Sequence, residues 1–232
     1  MAAMKVHGGV LSTATMRVLT CLHEKELEFQ FVNVDMSTGE HKREPFLSLN
    51  PFGQVPVFEH GDLKLFDKLS DLYLTIYDRR VFVCTESRAI TKYIAHEYAD
   101  KGTQLTCQGK ALPMLLQWMV VEEQQFEPAA SKLVWELVLK PFLGIPVEEA
   151  VVEENKDKLA KVLDVYESRL VQSKYLACDC FTLADMHHLP CIDYLMGSEA
   201  KALFDSRPHV SAWVEDIRAR PAWAKALAIR NK

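Results

Sequence analysis

Four short stretches place reactive or ligand-holding side chains where backbone geometry can use them. Ser12 follows Gly8 and Gly9 and opens a run with apolar residues at helical spacing, Val18, Leu19 and Leu22. The first backbone N–H groups of a helix lack intrahelical partners and lie at the positive end of its dipole. A hydroxyl there can cap the helix, and an anion is favoured beside it. Val55-Pro56 precedes a strand-like run, and read alone Pro56 is an edge residue without a ladder donor. Glu86-Ser87 opens a second helical run and reads alone as a plain cap, while His41-Lys42 in a polar stretch reads alone as a solvated turn. The other reactive residues form no pattern. Cys21, Cys84, Cys107, Cys178, Cys180 and Cys191 are scattered, with neither a CxxC pair nor metal-ligand spacing, and read as free structural thiols. His187-His188 finds no His or Cys at ligand spacing and reads as structural. No metal site is expected.

The elements that must position these residues change in type along the chain. Met4 to Gly9 reads as a short strand, Ser12 to Lys25 as a helix and Phe29 to Met36 as an alternating strand, together a βαβ unit with parallel strands. "EHKREPFLSLNPFGQ" reads as a polar helix or irregular turn closed by Asn50-Pro51-Phe52-Gly53. "VPVFEHGDLKLF" then reads as two short strands about a His60-Gly61-Asp62 turn. A helix starts at Ser87. From about Gly109 the pattern is helical throughout, with one stripe at Leu112, Leu115, Leu116 and Met119 and another at Leu159, Val162, Leu163, Tyr166 and Leu170. Pro141, Gly144 and Pro146 separate the two. Thr182 with Asp185 has the spacing of a capping box. The charge-rich stretch 148–158 reads as a solvated helix face. The expected organisation is therefore an α/β domain over 1–103 and an all-helical domain over 109–232.

Composition narrows the partners. A chain of 232 residues, 49% hydrophobic, can bury a full core, and a formal charge of −5 argues against the basic face that nucleic acid requires. The N-terminal stretch lacks the apolar run of a signal peptide, and no stretch approaches the roughly 20 apolar residues of a membrane helix. A soluble, cytoplasmic protein without a membrane partner is the expectation.

The order of elements, with Val55-Pro56 before a strand, resembles the glutathione transferases. Three separated motifs, "LSTATMRVL", "EHKREPFLSLNPFGQVPVFE" and "ESRAITKYIAHEYADKG", make the resemblance specific to the plant phi class. It implies a thioredoxin-like βαβ–ββα domain followed by an all-α domain, and a homodimer that uses glutathione as co-substrate and needs no cofactor. By this resemblance Ser12 is the catalytic residue, with Thr13 the nearest substitute. A hydroxyl donating to the glutathione sulfur favours the thiolate over the thiol, whose free pKa is ~8.5. A cysteine at position 12 would instead have implied disulfide exchange. The resemblance makes the Val55–Pro56 bond cis, so that Val55 turns its backbone N–H and C=O toward the cysteinyl unit of glutathione. Glu86 and Ser87 would hold the γ-glutamyl end, His41 and Lys42 the glycyl carboxylate, and Gln54 and Leu11 would complete the binding edge. Leu11, Met114 and Trp118 would line an apolar site for the second substrate.

One departure stands out. In the family pattern a strand equivalent to Leu63–Phe66 runs straight into Glu86-Ser87, whereas here residues 67–85, Asp67 to Thr85, intervene. "LYLTIY" and "VFVC" about Asp78-Arg79-Arg80 could form a small hairpin, and a loop whose ends join neighbouring residues adds only modest closure entropy. The expected activity is conjugation of glutathione to hydrophobic electrophiles, with glutathione-dependent peroxide reduction as a companion activity in detoxification and stress response. The competing readings are a non-catalytic carrier of flavonoids or hormones, its activity impaired by the insertion, and a structural role.

Overall fold

The computed structural model describes residues 4–61, the backbone of 82–84, and 86–231. The chain divides into two compact units, one of residues 1–103 with 225–232 and the other of residues 104–224. The expected helical domain over 109–232 therefore differs at both ends. Its last residues pack with the first unit, where Ile229 and Arg230 face a groove shared with Val10, Leu27, Phe29 and Phe31.

The first unit is built on a four-stranded sheet ordered β2-β1-β3-β4. Strand β1 (Met4–Gly8) alternates buried and half-buried residues, as a strand with one face on a core must. Helix α1 (Thr13–Glu24) leads to β2 (Gln30–Asn33), which runs parallel to β1 with Val6 opposite Phe31. β2 is shorter than the expected Phe29–Met36. It ends because the Asp35 carboxylate accepts from Ser37 N at 2.9 Å and from Ser37 Oγ at 2.6 Å, which turns the chain. The polar stretch forms two 3₁₀ turns, Glu40–Lys42 and Phe46–Ser48. β3 (Val57–His60) then pairs antiparallel with β1, Val6 opposite Phe58.

The fourth strand comes from the extra segment. β4 is Phe82–Cys84, paired antiparallel with β3 through Phe58 and Glu59. These residues belong to the extra segment, and the hairpin they could form with Leu72–Tyr77 falls on residues outside those described. Three extended residues beside an open edge of β3 find more backbone partners there. The expected strand Leu63–Phe66 and the run Leu72–Tyr77 lie outside the described residues. Helix α2 (Ser87–Glu97) follows and packs on α1; Ile90, Ile94 and Ala95 of α2 are buried, as are Val18 and Leu22 of α1.

The second unit is helical. α3 (Leu112–Val121), a π turn (Glu122–Phe126), α4 (Glu127–Val134), a second π turn (Trp135–Leu139) and α5 (Lys140–Phe142) follow without interruption. The run ends at Gly144, whose φ of +69° suits glycine. α6 (Glu149–Leu170) buries Leu159, Leu163, Tyr166 and Leu170 of its expected stripe and leaves Val162 half-buried. On α3, by contrast, only Leu115 and Met119 of the expected stripe are buried. Leu112 and Leu116 are exposed. Five shorter helices complete the fold: α7 (Leu183–Met186), α8 (Leu189–Leu195), α9 (Lys201–Asp205), α10 (Pro208–Arg218) and α11 (Pro221–Arg230). The capping box at α7 is formed. The buried Asp185 carboxylate accepts from Thr182 N and Oγ1, Leu176 N and Trp213 Nε1 at 3.0 to 3.1 Å, and its burial pushes its pKa up to about 6.

Candidate functional site

Ser12 caps α1. Its backbone is extended, and Oγ accepts from Thr15 N at 3.2 Å, which satisfies one of the orphan donors of the first turn. A serine hydroxyl carries two acceptor lone pairs and one donor proton. Capping uses a lone pair, so the proton remains for a second partner. The surroundings favour an anion as that partner. The first turn of α1 contains no acidic residue, and Ser12 and Thr13 are half-buried beside the exposed Leu11. The approach from β1 is tight. A Cβ on Gly8 would meet the Thr15 side chain at 2.5 Å, so glycine lets the strand pass directly under the helix start.

Ser87 occupies the first position of α2, behind Glu86 at the cap. It is buried, and Arg17 Nη1 donates to its Oγ at 2.9 Å. Arg17 itself is 1% exposed, a guanidinium carried by α1 into the base of α2. The sequence reading missed this residue. The signal available was a lone cation inside the otherwise apolar run "MRVLTCL", but nothing in its spacing names Ser87 as the partner. Glu86 is exposed and makes no side-chain cap bond, so its carboxylate is not committed to the helix end.

The third part is the loop ahead of β3. The Val55–Pro56 peptide is cis, as the resemblance implies, and Glu44–Pro45 is cis as well. The loop is held internally: Asn50 Nδ2 donates to Gln54 O at 2.8 Å, and Asn50 Oδ1 accepts from Phe52 N at 3.0 Å. Lys42 Nζ reaches the same loop, donating to Phe52 O at 3.0 Å. Gly53, at φ +57°, sits where a Cβ would stand 2.6 Å from His41 O, so the His41-Lys42 turn lies against this loop. His41 Nδ1 is buried without a hydrogen-bond partner among the described residues. Gln54 is exposed and Val55 half-buried, and Val55 packs on a small core of Val34, Phe46 and Val57. The expected binding residues of the first unit thus fall on three supports: the start of α1, the start of α2, and the braced loop before β3.

Comparison with known proteins identifies the family. The described family models "Glutathione S-transferase, N-terminal domain" and "Glutathione S-transferase, C-terminal domain" match residues 2–67 and 126–221. Glutathione S-transferase PARB of Nicotiana tabacum is 58% identical over 226 residues, covering 97% of each chain. The chain belongs to the glutathione S-transferase family. Within it the chain is a plant phi-class transferase, since relatives named in the F series share its full length. Glutathione S-transferase F6 of Arabidopsis thaliana is 53% identical over 98% of this chain and 100% of its own. The crystal structure of glutathione transferase F7 from Populus trichocarpa superimposes with a TM-score of 0.85 at 40% identity, covering 99% and 100%. The N-terminal match stops at residue 67, where the extra segment begins.

In this transferase the two expected contacts from the helical unit differ in exposure. Met114 is half-buried on α3, whereas Trp118 is 6% exposed, its ring edge-on to Tyr166 at 5.5 Å. Trp118 is thus largely a core side chain of that unit. His187 and His188 are fully buried, and His188 bridges Ala184 O at 2.7 Å and Tyr166 Oη at 2.9 Å, a packing role as read. The cysteines are not all scattered in space. Cys21 and Cys191 are buried singly, but Cys107, Cys178 and Cys180 bring their sulfurs within 4.8 Å of one another. Spacing along the chain concealed this group, because Cys107 is 71 residues from Cys178.

Proposed function

We propose that Ser12 is the residue that activates glutathione, and that the chain adds the resulting thiolate to hydrophobic electrophiles. The observation that carries this is the state of its hydroxyl, which accepts from Thr15 N and so keeps its proton to donate. Donation to the glutathione sulfur at the positive end of α1 stabilises S⁻ over S–H and lowers the thiol pKa. The thiol proton leaves to solvent, the sulfur lone pair forms the new bond to carbon, and the electrophile's leaving group departs with its electrons. In this reading Ser87, braced by Arg17, and the uncommitted Glu86 take the γ-glutamyl carboxylate and ammonium. Val55 takes the cysteinyl backbone, with Pro56 setting its direction and Gln54 and Leu11 beside it. His41 and Lys42 take the glycyl carboxylate, which requires Lys42 to exchange its bond to Phe52 O for the ligand.

Leu11, Met114 and Trp118 form the proposed apolar contacts for the electrophile. Leu11 (43% exposed) and Met114 have surface to offer, and Trp118 contributes at most an edge. A solved relative, glutathione S-transferase I from maize in complex with an atrazine glutathione conjugate, is 34% identical over 99% of both chains with a TM-score of 0.82. Its ligand supports an aryl electrophile here. A cytoplasmic homodimer acting in detoxification and stress response, with peroxide reduction as a second activity of the same thiolate, completes the proposal. Support for a partner copy comes from Leu112, Leu116 and Val120, exposed four residues apart along α3, and among the described residues no helix is long and apolar enough to cross a membrane. The test is turnover of an aryl halide with glutathione as a function of pH. A carrier would bind the halide and release no halide ion, and that result would overturn the proposal.

A further inference from the structure

The transferase reaction uses none of the three clustered thiols. Cys178 Sγ lies 3.5 Å from Cys107 Sγ and 2.8 Å from Cys180 Sγ. The segments that carry them are fixed by their own bonds. Leu183 N donates to Leu105 O at 2.9 Å, which ties the Cys107 segment to the start of α7. Arg169 Nε donates to Leu176 O at 2.8 Å, and Ser173 Oγ to Asp179 Oδ1 at 3.2 Å, which fixes the loop that carries Cys178 and Cys180. Cys178 and Cys180, two apart, face the same side. Cys107 and Cys178 are half-buried and Cys180 is exposed, so the group has shelter and an entry path.

We propose that Cys107, Cys178 and Cys180 form a three-sulfur binding site for a soft monovalent cation, copper(I). Three sulfurs about 2.3 Å from an ion in their plane stand roughly 4 Å apart. The separations here, all within 4.8 Å, reach that arrangement by side-chain rotation. The donor set selects the ion. No carboxylate or imidazole among the described residues joins the group, and an all-sulfur set favours thiophilic ions. Structural zinc takes four protein ligands in a tetrahedron, and this site supplies three. Copper(I) is complete with three thiolates. Binding is a ligand exchange without redox change: each sulfur that coordinates gives its proton to solvent and its lone pair to copper. The bound ion would link segments 71 residues apart and so stabilise the unit.

The experiment loads the reduced full-length chain with copper(I) under anaerobic conditions and titrates it with a chromogenic copper(I) chelator in the presence of excess glutathione. Cys84 is replaced by serine in the reference protein, so that its thiol does not compete. The C84S protein is expected to retain about one copper(I) per chain and to show a raised melting temperature. Adding C107S, C178S or C180S should each weaken retention by more than the roughly 10- to 100-fold typical of losing an outer-shell partner. Glutathione turnover should stay unchanged in these variants, which separates loss of the site from loss of the fold. Retention insensitive to the three serines overturns the proposal. So does zinc(II) held more tightly than copper(I) in a parallel chelator titration, or a disulfide within the group with no metal bound.

Discussion

The starts of α1 and α2 are the two helix ends that carry the proposed glutathione contacts, and they are held in different ways. Ser12 caps its own helix, with the bond to Thr15 N closing within four residues, and its approach is a glycine turn off β1. Ser87 is held from a distance: its oxygen accepts a hydrogen bond from Arg17, 70 residues earlier, and its approach comes from β4, a strand drawn from the segment absent from the family pattern. The first support is local and robust to changes elsewhere. The second depends on a buried cation and on what precedes Glu86. The proposed function places chemistry on the robust support and substrate anchoring on the dependent one.

The largest effect should come from the local support. Ser12→Ala removes the donor to the sulfur and is expected to lower turnover about a hundredfold to a thousandfold, the range for a lost charge-stabilising donor. Glutathione affinity should change much less. The lost cap also destabilises α1, by ~1 kcal/mol. In the wild type the rate should rise with pH up to a thiol pKa below ~8.5, and in the variant that midpoint should move toward ~8.5. Unchanged turnover with an unchanged midpoint would remove Ser12 from the chemistry.

A third helix start, that of α7, is closed by a capping box and has no part in the proposed glutathione site. Asp185 is buried, and its pKa is raised from 3.8 to about 6 by burial against the lowering effect of its hydrogen bonds. A carboxyl that binds its proton more tightly when folded contributes stability that is fully present below pH 3.8 and is lost as pH rises through about 6. The size is on the order of 2 to 3 kcal/mol. Asp185→Asn cannot titrate, so urea unfolding from pH 3.5 to 7 should show this component in the wild type and not in the variant. Parallel curves for the two proteins would place Asp185 at an ordinary pKa.

Comparing these three starts explains what the sequence made legible. Ser12 and the Thr182–Asp185 box could be read because their partners lie three residues away, within the reach of a spacing rule. The βαβ unit and the α6 stripe were legible from periodicity for the same reason. Arg17 was not, because a buried cation is chosen by a residue far along the chain. The thiol group of Cys107, Cys178 and Cys180 was hidden likewise, and the pairing of β4 with β3 was not legible because a three-residue strand is assigned by the free edge that it meets. On α3, the stripe placed Leu112 and Leu116 inward, but a hydrophobic period marks an apolar face without saying whether this chain covers it.

Arg17→Met tests the dependent support next. The substitution keeps the bulk of the side chain and leaves Ser87 Oγ without its charged donor, a loss of about 1.5 kcal/mol or more. Glutathione binding by calorimetry should weaken about tenfold, with turnover at saturating glutathione nearly retained, because Ser12 is untouched. Arg17→Lys should recover part of the affinity. An equal drop in turnover and affinity, with no recovery by lysine, would mean that Arg17 supports the whole unit and not Ser87 in particular.

Removing Asp67 to Thr85 is the smallest expected effect and bears most directly on the difference between the two starts. The deletion takes away β4, the partner of Phe58 and Glu59, and joins Phe66 to Glu86. Leu63–Phe66 then has the sequence position that the family pattern gives to the edge strand, and its apolar alternation suits the vacated edge of β3. With a strand leading straight into α2, the Ser87 backbone is set by a short, regular connection, as it is for helix starts in compact domains. Glutathione should bind about fivefold more tightly, ~1 kcal/mol, while turnover at saturation changes little. Melting temperature reports separately on the sheet: it should hold or rise if Leu63–Phe66 takes the edge, and fall if that edge stays open. Equal or weaker glutathione binding in a protein with unchanged melting temperature would show that the extra segment positions Ser87 as well as the family connection does, and the contrast between the two helix starts would then rest on Arg17 alone.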